Sequence, residues 1–82
     1  MTYVNLRKLV NKSNELSANN CWDREAFDVN MKIWNADNNN FNACTRLAKY
    51  YELNGNIADA RMMYLNAIKI PPYNYDVKKR FN

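Results

Sequence analysis

The chain has 82 residues, the size of one small domain with a limited hydrophobic core. Hydrophobic residues make up 48% of it, and it contains one Gly and two Pro, so the composition favours a folded, mostly helical protein. A net charge of +4, spread along the chain, is low for a nucleic-acid binder, and the absence of His argues against a zinc site or a His-based catalytic triad.

The first half of the chain predicts two helices separated by a polar break. Apolar residues at helical spacing predict the first helix over about residues 3–16, with Thr2 as its N-cap. Residues 17–20 are polar and interrupt the pattern. The second helix is predicted to begin at Trp22 or Asp23 and to end at Ala36. It is apolar around much of its girth, so we expect it to lie between neighbouring helices.

The second half predicts a third and a fourth helix joined by a tight turn. The third helix covers about residues 41–53, with a preceding Asn as N-cap, and Gly55 supplies the left-handed residue that closes it. Asn56 is the predicted N-cap of a fourth helix over about residues 57–70, which the following Pro-Pro pair ends. A short further helix is expected over residues 75–81. The predicted inner face of the fourth helix consists of Ala60, Tyr64, Ala67 and Ile68.

Several residues of the second half fall at the fixed spacing of a 34-residue helix–turn–helix repeat. They are Leu47, Ala48, Tyr51, Gly55, Ala60, Tyr64, Ala67 and Pro72. This pattern resembles the tetratricopeptide repeat, with Phe41 at the first position and Cys44 in place of the usual Trp. Small residues at the crossing allow two antiparallel helices to approach closely, and Ala48, Ala60 and Ala67 meet that need.

The resemblance implies an all-α fold of antiparallel helical hairpins, a short solenoid of about four helices and a short C-terminal helix. One repeat covers about residues 41–74, and a basic segment covers residues 75–82. Residues 1–40 are expected to form a divergent capping hairpin, because Ser13 and Asn14 stand where the repeat has Leu and a small residue. All three parts belong to a single domain over residues 1–82.

The residue types that carry catalysis or hold cofactors are sparse. Cys21 and Cys44 form no CxxC pair, and a single Gly cannot build a phosphate-binding loop. Cys44 lies on an apolar helix face, so we expect a buried free thiol. No leader-like segment and no long apolar run is present. We therefore expect a cytoplasmic protein that is not an enzyme, with no cofactor, no metal and no membrane partner.

The resemblance also implies a binding surface, because the first helix of each repeat lines a groove that holds peptides. By position, the groove-facing residues are Asn42, Thr45, Arg46, Lys49 and Glu52. Arg46 and Lys49 are suited to a carboxylate through charge-assisted hydrogen bonds. The alternative is that these side chains form an ordinary solvated helix face.

The function that follows is a non-catalytic protein–protein interaction module, a small adaptor or inhibitor that binds and occludes a larger protein. A solenoid with one clear repeat has exposed ends, so a homodimer is also expected. The residues expected at the self-associating end are Tyr73, Tyr75, Val77 and Phe81. The alternative left open is a small basic helical nucleic-acid-binding protein, which would use residues 78–80 together with cations of the third helix.

Overall fold

Four helices form the part of the chain that the computed structural model describes, residues 3–71. They are α1 (Tyr3–Ala18), α2 (Arg24–Ala36), α3 (Phe41–Leu53) and α4 (Ile57–Ile68). Each helix packs against the next, α1 on α2, α2 on α3 and α3 on α4. The all-α class with hairpin packing is therefore confirmed, while the predicted short helix over residues 75–81 lies outside the described residues.

Local side-chain bonds start two of the helices. The Asp23 carboxylate accepts a hydrogen bond from the Ala26 N–H at 3.1 Å, and the Asn40 amide oxygen accepts one from Ala43 N–H at 2.9 Å. Asn56 is the N-cap residue of α4, as predicted, but its side chain makes no hydrogen bond to the first turn. Its ψ of 68° differs from the extended backbone that aims a capping side chain at the first turn.

Left-handed residues close the first and third helices. Gly55 has φ of +76°, and the Asn56 N–H donates to the Tyr51 carbonyl at 2.8 Å in the bonding pattern of a helix that ends on glycine. The prediction for Gly55 is confirmed. Asn20, with φ of 57°, plays the same part after α1, which extends two residues beyond the predicted Leu16.

The central core lies between α3 and α4, with side chains of α2 packed against its edge. The buried residues of this core are Cys44, Leu47, Ala48, Met63, Ala67 and Ile70. Phe27 of α2 packs against this core and contacts two rings of α3, with centroid distances of 4.7 Å to Tyr50 and 5.6 Å to Tyr51. The prediction that α2 lies between neighbouring helices is thereby confirmed.

The inner face of α4 differs from the predicted one. Ala60 and Ala67 are buried as expected, but Tyr64 and Ile68 are exposed, and Met63 takes the place between the two alanines. Positions 60, 63 and 67 form one stripe because they are spaced by three and four residues, whereas Tyr64 is rotated by about 100° from Met63 around the helix. Met63 is thus the large α4 side chain that packs against α3, while Tyr64, Leu65 and Ile68 are exposed.

Candidate protein-interaction surface

The cations of the predicted α3 groove are engaged with the N-terminal hairpin. Arg46 is half-buried, and its Nη1 donates to Ser13 Oγ and to Asn14 Oδ1, each at 2.8 Å. The Lys49 ammonium lies 4.6 Å from the ring centroid of Trp22, just before α2, in cation–π geometry. The structure therefore gives both cationic groups contacts within the chain, at the junction of the two hairpins.

The other predicted groove residues differ in burial along α3. The Thr45 hydroxyl donates to the Asn42 carbonyl at 3.2 Å, and both residues are half-buried. Glu52 is exposed near the end of α3 and accepts a hydrogen bond from the Tyr64 hydroxyl of α4 at 3.0 Å. Glu52 therefore also lines the outer side of α4, while Arg46 and Lys49 contact the N-terminal hairpin.

A buried polar network underlies the contact between Arg46 and α1. Ser13 is 2% exposed, and its hydroxyl donates to Asn30 Oδ1 at 2.5 Å while accepting from Arg46. Asn30 in turn donates through Nδ2 to the Ala26 carbonyl at 2.9 Å. The network thus joins α1, α2 and α3 through buried polar groups.

A polar cavity of about 280 Å³ opens beside this network, between α1, the α2–α3 loop and the start of α3. Its lining includes Asn14, Asp37, Asn39, Asn42 and Arg46. Within residues 3–71, no cluster of three His, Cys, Asp or Glu side chains is placed to hold a metal ion. The cavity offers amides, one guanidinium and the Asp37 carboxylate, which are groups that bind polar ligands through hydrogen bonds.

The outer side of α4 carries a shallow apolar groove of about 370 Å³. We call it the α4 groove, and it is lined by Glu52, Ile57, Ala60, Arg61, Tyr64, Leu65 and Ile68. Ile68 is 73% exposed, Ile57 63% and Leu65 47%, so three large aliphatic side chains of one helix face solvent together. Contiguous exposed apolar surface of this kind is typical of interaction sites.

Two charged side chains lie at the edge of the α4 groove. Glu52 and Arg61 both line it, and neither forms an ion pair with another of the described residues. Burial raises the pKa of the Tyr64 hydroxyl, and the hydrogen bond to Glu52 and its negative charge raise it further. The Tyr64 hydroxyl therefore remains a proton donor that holds the Glu52 carboxylate against α4.

Sequence reasoning missed the α4 groove because it assigned Tyr64 and Ile68 to the core. One signal could have found it: α4 has large apolar residues on two sides, and a helix at the end of a stack has only one neighbour to bury them. The residues predicted for self-association, Tyr73, Tyr75, Val77 and Phe81, lie outside the described part of the chain. Within residues 3–71, no helix has the length and apolar character needed to cross a membrane.

Comparison with protein-family models, with curated proteins and with solved structures found no match to this chain. The resemblance to tetratricopeptide repeats therefore stays a prediction that rests on the spacing of Leu47, Ala48, Gly55 and the alanines of α4.

Proposed function

We propose that this chain is a non-catalytic protein-interaction module, a small cytoplasmic adaptor or inhibitor that docks on and occludes a larger protein through the α4 groove. The observation that carries this proposal is the exposure of Ile57, Leu65 and Ile68 on one side of a single helix. Within residues 3–71, Tyr64 is exposed beside them and lines the same groove, so the exposed apolar side chains of α4 form one contiguous patch.

The free energy available from burying the apolar side chains of the α4 groove can be compared with the cost of association. Full burial of one large apolar side chain is worth about 1.5–3 kcal/mol. Three of them give an energy comparable to the roughly 4–15 kcal/mol that association costs, so the aliphatic residues alone give weak binding. Tyr64 adds an aromatic anchor with its hydroxyl already bonded, and aromatic residues in such positions carry a large share of binding energy.

An amphipathic helix is the partner element that fits the shape of the surface. A helix laid in a groove presents apolar residues at intervals of three and four, and the α4 groove offers apolar contacts at the same intervals. Glu52 and Arg61 at its edge select for the charges that flank the partner's apolar residues.

The test is affinity capture from the native cell with the Leu65→Glu, Ile68→Glu double variant. We expect this variant to lose the proteins that the wild-type chain retains, because two carboxylates placed in an apolar interface must be desolvated. Met62→Glu is the matched control: Met62 is also an exposed α4 residue, but it does not line the groove.

A second variant separates this surface from the α3 surface predicted from the sequence. Lys49→Glu changes the exposed cation of α3 and leaves the α4 groove intact. If capture persists in the double α4 variant and disappears in Lys49→Glu, the partner binds the α3 surface and the α4 proposal is wrong.

A further inference from the structure

We propose that the occupant of the α4 groove is a second copy of this chain, whose own α4 packs antiparallel to the first about a two-fold axis. The inference rests on the proposed function because it takes the α4 groove as an interaction surface: the second copy covers the groove in the free protein, and a larger partner competes with that copy for it. The inference is carried by three features of the groove: the spacing of its residues, the placement of its two charges and the small residue at its side toward α3.

The spacing of the groove residues reads the same from either end of the helix. Ile57, Arg61, Tyr64 and Ile68 follow one another at intervals of four, three and four residues, which is the seam of a two-helix coiled coil. Because this order is symmetric, an antiparallel copy places Ile57 opposite Ile68 of its partner at both ends of the contact. Arg61 then lies opposite the partner's Tyr64.

The charges favour the antiparallel arrangement over the parallel one. The Tyr64 hydroxyl holds Glu52 at 3.0 Å, so the guanidinium of Arg61 opposite the partner's Tyr64 comes within reach of the partner's Glu52. The two-fold axis forms this pair twice. In a parallel pair the two Arg61 side chains would face each other, and like charges placed together oppose association.

The side of the groove toward α3 allows close approach. Ala60 is buried at the side of the groove toward α3, and its small methyl group does not block the approach of a second helix. α4 has twelve residues and spans about 18 Å, so the helix pair is short. An interface of this kind is at the small end of stable ones, and its two charge pairs then decide whether the dimer forms.

Light scattering coupled to gel filtration, run at about 1 to 100 μM, the range of weak to moderate dissociation constants, measures the dimer directly. We expect the wild-type chain to have twice the monomer mass at the upper end of this range. Arg61→Glu and Glu52→Arg should each raise the dissociation constant at least about tenfold, because each variant faces two like-charge contacts across the two-fold axis. Met62→Glu should leave the mass unchanged.

Mixing the two charge variants gives the decisive result. A protomer with Arg61→Glu and a protomer with Glu52→Arg form two attractive pairs with each other, although each repels its own copies. We expect the equimolar mixture to recover the mass of a dimer. Circular dichroism checks that both single variants keep the wild-type helix content, so that loss of the dimer is not loss of the fold.

The outcomes separate this inference from the proposed function. A wild-type chain that stays monomeric at the highest concentration overturns the inference, as does a dimer whose charge variants fail to associate when mixed. If that monomer still captures another protein through Leu65 and Ile68, the proposed function stands without the dimer. A groove-dependent dimer that captures nothing else supports the inference and counts against a role as adaptor or inhibitor.

Discussion

Cys44 contributes to the core between α3 and α4 through both its burial and a hydrogen bond. Its side chain is fully buried, and its Sγ donates to the Met63 carbonyl of α4 at 2.9 Å. The small thiol thus links α3 directly to the backbone of α4. Burial raises the pKa of Cys44 from 9.0 to about 11, because the thiolate has no water around it.

The Cys44→Ala variant tests this account through the pH dependence of stability. Between pH 9.0 and about 11, the native state keeps a proton on Cys44 that the unfolded state has released, so wild-type stability falls as pH rises. Cys44→Ala lacks this contribution. We therefore expect its deficit in unfolding free energy relative to wild type to be largest near neutral pH and to shrink across this window.

Urea denaturation at several pH values measures the deficit. Cys21→Ala is the matched control, since its Sγ lies half-buried in the turn before α2, next to the Asn19 carbonyl at 3.7 Å. A deficit for Cys44→Ala that stays constant from neutral pH to pH 11 would contradict the buried, protonated thiol.

The residues at which the helices begin and end are determined largely by local capping signals. The bounds of α3 were predicted without error, and Asn40 before it and Gly55 after it are both local signals. α4 begins where predicted but ends at Ile68, before Pro71, since Lys69 and Ile70 form a turn that bonds to the carbonyls of Asn66 and Ala67. A cap is read from neighbouring residues in the chain, which is why these limits follow from sequence.

Replacing the N-cap residues should lower stability only where the side chain makes a cap hydrogen bond. Asp23→Ala and Asn40→Ala each remove a side-chain bond to the first turn of a helix, and we expect each to lower the free energy of unfolding by about 1 kcal/mol. Asn56 occupies the equivalent position before α4 without such a bond, so Asn56→Ala should lower the free energy of unfolding by only about a few tenths of a kcal/mol. Chemical denaturation of the three variants checks this, and an equal cost at all three positions would be inconsistent with it.

At the scale of the whole molecule, the junction between the two hairpins combines aromatic packing with a hydrogen-bonded polar network. Phe27 packs on the tyrosines of α3, and beside it the network of Ser13, Asn30 and Arg46 joins α1, α2 and α3. Every buried side-chain nitrogen or oxygen within residues 3–71 has a hydrogen-bond partner, so this polar junction is fully satisfied. It connects the first hairpin to the second, and we expect the two to unfold together.

Ser13→Ala tests how much the junction contributes. It leaves Asn30 Oδ1 without its donor and Arg46 without one of its acceptors, and a buried polar group left unpaired costs about 1–3 kcal/mol. We expect a loss of that size in a single unfolding transition followed by circular dichroism. Asn11→Ala, on the exposed side of the same helix, should stay within about 0.5 kcal/mol of wild type. Two separate transitions, or equal effects of both variants, would show that the junction does not link the hairpins.

The sequence was sufficient for the features that depend on neighbouring residues. The four helices of residues 3–71, the turn at Gly55, an Asn cap before α3 and the burial of Cys44 and Leu47 all follow from periodicity and from residues that start or stop helices. Periodicity also identified the buried alanines of α4, since Ala60 and Ala67 lie on the same side of the helix as the core.

Only the tertiary structure decided how the faces of the helices are used. α4 is apolar on two sides, and the neighbour on one side selected Met63 for the core and left Tyr64 and Ile68 in the groove. Arg46 was assigned to a peptide groove, yet the hydroxyl of Ser13, 33 residues earlier in the chain, is its hydrogen-bond acceptor. Such contacts depend on which helices meet in space, and spacing along one helix carries no information about that.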